Sequence, residues 1–123
     1  MSERDKIMED FPKLYAQKDL PMTHTCMCWG LEIGAGWLPI VRRLSEKLEA
    51  MIESGETPTL QCVQVKEKFG GLRFYTNISN DKVSELISEA YREASVTCEM
   101  CGKPGKEGGD GYIQTLCEKC HKI

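Results

Sequence analysis

Apolar residues recur along this chain with two different periods, and the change of period marks the elements. Between residues 38 and 52, Leu38, Val41, Leu44, Leu48, Met51 and Ile52 return every three or four positions, the spacing of one helix face. Arg42, Arg43, Glu46, Lys47 and Glu49 fall mostly on the other face. Trp37 opens this helix, Pro39 suits its first turn and Gly55 suits its C-terminal stop. From residue 62 the period shortens to two. Val63 and Val65 alternate with Cys62, Gln64 and Lys66, then Leu72 and Phe74 alternate with Arg73 and Tyr75. Two such runs around Gly70-Gly71 predict a β-hairpin. Helical spacing returns with Val83, Leu86, Ile87, Ala90, Tyr91 and Ala94, behind a cap at Ser79 or Asn80.

The flanks are less periodic. Ser2 and Asp5 frame the start of a short helix carrying Ile7, Met8 and Phe11, which Pro12 interrupts, so residues 13–17 form a separate turn. Residues 18–36 hold Pro21, Gly30, Gly34 and Gly36 without a sustained period and read as an ordered loop. The expected class is α+β, with a small antiparallel β-hairpin or slightly larger sheet packed by two amphipathic helices. Residues 1–96 make this core, and residues 97–123 form a C-terminal module packed against it as one compact unit.

Composition narrows the function. The 123 residues are 41% apolar and 28% charged, with sixteen basic and nineteen acidic side chains, an ordinary globular balance. A net charge of −3 argues against strong non-specific attraction to nucleic acid or anionic membrane. The opening residues MSERDKIMEDF lack the apolar core of a secretory signal, and no run has the roughly 18 apolar residues of a membrane span. The expected location is cytoplasmic. Seven cysteines there imply metal or free thiols rather than disulfides.

Four of them make the most specific motif. Cys98, Cys101, Cys117 and Cys120 follow the spacing C-x2-C-x15-C-x2-C of a structural zinc site, which predicts one Zn2+ in a zinc-ribbon or short treble-clef-like module. Each pair needs a tight turn for its two thiolates to converge, and Gly102 suits the first; the residues YIQT supply a short strand. His121 is a rival ligand, but its position directly after Cys120 points it elsewhere. The closed four-thiolate site offers no open position for catalysis. Lysines and acids balance in residues 98–123, no basic helix follows Cys120, and a nucleic-acid finger is disfavoured.

Other residues carry weaker signals. His24, Cys26 and Cys28 suggest a second metal site, with Cys62 as fourth ligand, or a cysteine nucleophile; no orienting third group is evident, and small thiols inside a loop explain them as well. If Val63, Val65, Leu72 and Phe74 face the helices, Gln64, Lys66, Arg73 and Tyr75 share the outer face of the hairpin. These four, with Trp37 as a core anchor or a contact residue, are the candidate partner-binding residues. The plain alternative is a solvated face with Arg73 paired to a glutamate.

The stretches GAGWLPIV (34–41), VQVKEKFGGLRFYT (63–76), CEMCGKPG (98–105) and TLCEKC (115–120) resemble a small uncharacterised protein family of bacterial and bacteriophage genomes. The resemblance spans most of the chain. That family often has histidine at the last ligand position, where this chain has Cys120; either residue serves zinc. The resemblance carries no activity but implies a phage or mobile-element accessory protein, in the host cytoplasm. The expected function is therefore a non-enzymatic, zinc-stabilised protein-interaction module that binds and inhibits a host antiviral-defence protein. The alternatives are a nucleic-acid-binding regulator using Arg42, Arg43, Lys66, Lys68 and Arg73, and a cysteine-dependent enzyme.

Overall fold

The computed structural model describes residues 2–21, 27, 30–108 and 113–121, the side chain of residue 121 excepted. Ser2 caps α1 (Glu3–Asp10) by accepting the N–H of Asp5 at 3.1 Å, and the helix buries Ile7 and Met8. Residues 12–19 follow as consecutive turns that bury Leu14 and Tyr15 completely. Helix α2 (Leu38–Glu53) is entered through a single 3-10 turn at Ala35–Trp37, with Pro39 in its first turn.

One residue of α2 reverses its expected role. Glu49 is not on the solvated face but buried, with 6% exposure. Its carboxylate accepts the N–H of Leu14 at 2.7 Å and of Lys13 at 3.2 Å. The turns after α1 leave the buried Leu14 N–H and the partly buried Lys13 N–H without a ladder partner, and Glu49 supplies the acceptors. Beside it, buried Ser45 bridges the Tyr15 hydroxyl at 2.7 Å and the Val41 carbonyl. We expect Glu49→Ala to cost about 2–4 kcal/mol in urea unfolding, because each orphaned buried donor costs about 1–3 kcal/mol. A loss below about 1 kcal/mol would show that water reaches these groups.

The hairpin forms between β2 (Cys62–Lys68) and β3 (Gly71–Thr76). The sheet is mixed rather than purely antiparallel, because β1 (Leu31–Glu32) joins β2 in parallel, pairing Leu31 with Val65. Two residues inside a glycine-rich loop are too few to show an alternating pattern. Within β2 a bulge between Cys62 and Gln64 shifts the register. An extra residue on one strand changes which side chains point inward; Cys62 and Val65 are both fully buried, and Val63 is only half-buried. In β3, Leu72 and Phe74 are buried as the alternation predicts. The turn residues are Phe69 and Gly70, with φ of 53° and 79°, and Gly71 already pairs with Lys68.

Asn80, not Ser79, caps α3 (Asp81–Ala94), accepting the N–H of Val83 at 2.8 Å. Helix α3 packs beside α2 and along β3, and one core gathers side chains from α1, the turns, β1, α2, the hairpin and α3. The C-terminal module adds β4 (Lys106–Gly108), its antiparallel partner β5 (Gln114–Leu116) and α4 (Glu118–His121). Among the described residues, no helix is long and apolar enough to cross a membrane.

Candidate metal centre

Two short segments bring the four cysteines together. At the first, Gly102 takes a φ of 80° and donates its N–H to the Cys98 carbonyl at 2.9 Å, while the Cys98 N–H reaches the Lys103 carbonyl at 2.7 Å. That reversal folds Cys101 back over Cys98. At the second, Cys117 follows β5 and Cys120 lies in the first turn of α4, whose N–H points at the Cys117 sulfur, 3.4 Å away. The four Sγ atoms lie within 4.8 Å of one another, and those of Cys101 and Cys117 are 3.6 Å apart. Four thiolates at about 2.3 Å from one ion define a tetrahedron with edges of about 3.8 Å. The donor set and its spacing therefore fit a metal ion. Cys98 and Cys117 are buried and Cys101 is exposed.

The thiols are electrostatically unequal. Burial pushes Cys98 up, but N–H groups of Cys117, Cys101 and Met100 directed at its sulfur outweigh this and bring it down to about 6. Cys117 is lowered by the N–H of Cys120, whereas Cys120, donating to Cys117 and Cys98, rises to about 12. Cys98 and Cys117 are thus favoured as thiolates relative to Cys101 and Cys120, and a divalent cation bound by all four would displace the remaining thiol protons.

The core holds this centre through hydrogen bonds that the sequence motifs had not disclosed. Gly36 donates to the Glu99 carbonyl at 2.6 Å, Gly34 donates to the Glu99 carboxylate at 2.8 Å, and the Trp37 indole N–H reaches the Thr97 carbonyl at 2.8 Å. GAGW is thus the seat on which the first cysteine pair rests. On the other side, buried Thr115 donates through its hydroxyl to the Gly70 carbonyl at 2.6 Å and accepts the N–H of Glu99 at 2.9 Å. The hairpin turn and the GAGW loop are joined through the same two residues, Glu99 and Thr115. The usable signal was the pairing of close-approach glycines with a Cys-flanked acid, which only the fold connects.

The candidate partner-binding residues divide. Gln64 pairs with Tyr75 and Lys66 with Arg73 across the hairpin, so these four share one face. Trp37 does not join them; it is fully buried, and an enclosed indole offers nothing to a partner. Arg73 is not paired with a glutamate but lies over the Tyr91 ring, 5.6 Å from its centroid. Among the five cations of the nucleic-acid alternative, Arg42 is held by Asp10 and Glu3 and Arg43 by Glu93. His24, Cys26, Cys28 and the His121 side chain lie outside the described residues. Cys62 is enclosed with its sulfur 3.7 Å from that of Met27, and burial drives its thiol far above the usual range; it is an apolar core residue. No protein-family model, curated protein or solved structure matches the chain.

Proposed function

We propose that this protein is a non-enzymatic interaction module in which one zinc ion clamps a hairpin that presents Phe69 to a protein partner. The conformation of Phe69 carries this reading. It is 68% exposed and takes a φ of 53° at the first position of the turn. Such turns favour asparagine or aspartate before glycine, and a side chain in the left-handed region costs about 1–2 kcal/mol. An exposed aromatic ring gains little for the fold in return, so the strain points to a contact made outside the molecule. The Lys68 ammonium lies 5.7 Å from the ring centroid and adds a charged edge to it.

Zinc suits the four-thiolate set, and a closed site of this kind supports the fold without entering chemistry. A ligand pair at the start of α4 favours the treble-clef-like form over a ribbon. A phage or mobile-element setting, with a host defence protein as the partner, rests on the family resemblance. Phe69→Asn separates fold from contact: it should raise Tm by about 3–5 °C, as roughly 1 kcal/mol of turn strain is released, while proteins captured from bacterial lysate by the wild-type chain are lost. Unchanged capture by the stabilised variant would remove Phe69 from the contact surface.

A further inference from the structure

Strand β3 is the edge of its sheet, with β2 as its only strand neighbour among the described residues. A groove of about 340 Å³ runs beside it, lined by residues 72–75 of β3 and by Ile87, Ser88, Tyr91 and Arg92 of α3. Successive side chains leave a strand on opposite faces, so four consecutive residues line one groove only where it follows the strand edge. The pair flanking a two-residue turn is hydrogen-bonded. With Lys68 opposite Gly71, the main-chain groups of Gly71, Arg73 and Tyr75 face β2. Those of Leu72 and Phe74 face the groove.

The charges beside this edge are of one sign. Arg73 and Arg92 line the groove, and among the described residues no aspartate or glutamate does. The Nε of Arg73 is buried without a hydrogen-bond partner, which is costly for a charged group, and Arg73 makes no ion pair among the described residues. Arg92 is exposed and, among the described residues, its guanidinium pairs only with Glu85, at 3.8 Å. Tyr75 and Tyr91 are each about two-fifths exposed, at 42% and 40%.

We propose that this groove takes an extended, acidic peptide segment of a partner protein as an added strand on β3. Main-chain bonds from Leu72 and Phe74 supply affinity, a carboxylate of the peptide meets Arg73, and Tyr75 and Tyr91 flank the segment. The idea rests on the interaction-module reading and names the chemistry that the partner brings.

Selection of random displayed peptides on the zinc-loaded full chain tests it. Enriched peptides should carry acidic residues, bind roughly tenfold or more weakly to Arg73→Gln, as loss of a charge-assisted hydrogen bond implies, and slow amide exchange at Leu72 and Phe74. Arg92→Gln alters an exposed side chain and should weaken the same peptides without touching the core, which guards against a folding defect at Arg73. Absence of enrichment, enrichment of basic peptides, binding indifferent to both variants, or protection on another strand would overturn the proposal. So would an oligothymidylate that displaces the peptides with a steep salt dependence, which would mark a nucleic-acid groove. Phe69→Asn should leave the selected peptides bound, so failure of the groove and failure of the hairpin tip are read separately.

Discussion

Cys98→Ser is expected to release the metal and to unfold the C-terminal module. Structural zinc sites contribute about 10–16 kcal/mol in small peptides, and a domain of this size has a total stability of about 5–15 kcal/mol. The module's own apolar core is small, Cys98, Leu116 and Cys117 with Cys120 packed against them, so its bonds to the core depend on the metal to keep the cysteine segments in shape. Metal analysis should give one ion per wild-type chain and none in the variant, and the variant should lack the cooperative melting of the parent. Chelation of the wild-type protein should reproduce the change. A metal-free protein that keeps its full Tm would show that the cysteines are bystanders.

The second large effect is expected at Gly36. A Cβ there would lie 2.5 Å from the Gly102 nitrogen, 2.7 Å from the Glu99 carbonyl oxygen and closer still to that of Cys98. All three are main-chain atoms, so no rotamer change makes room, and the first cysteine pair must lift from its seat. The bonds from Gly34, Gly36 and Trp37 then weaken together. Gly36→Ala should therefore cost about 4–5 kcal/mol, at the upper end for a single substitution, and expose the Trp37 indole to water. Gly55→Ala is the control. Its φ is 85° but nothing lies within 4 Å of the added atom, so only backbone strain of about 1–2 kcal/mol is expected. Equal losses at the two glycines, with unchanged tryptophan emission, would mean that the seat does not bear on stability.

The sequence was most legible where one period ran long enough to fix a face. Helices α2 and α3 and strand β3 lie where their apolar residues place them, because twelve or more residues of consistent helical spacing, or a clean alternation, have few competing solutions. The cysteine spacing foretold a cluster that the fold assembles. What escaped was decided by single contacts across long separations. Nothing near Glu49 in sequence marks it as the acceptor for the turns after α1, and one extra residue in β2 moved Val63 out of the core. The glycines were visible as punctuation, yet their use depended on what approached them. Gly36 leaves room for the Cys98 segment, and Gly71 leaves room for Tyr91, whose ring would lie 2.9 Å from an added Cβ.

The bond from Thr115 to Gly70 spans 45 residues, and it couples the hairpin turn to the C-terminal module. A two-stranded hairpin is marginal by itself, and the bond from Thr115 ties the turn that holds Phe69 to the segment between the two cysteine pairs. The turn and the cysteine cluster thus share one anchor, Thr115. Under the proposed zinc reading, chelation should therefore loosen the hairpin tip together with the C-terminal module, seen as faster amide exchange at Gly70 and Gly71.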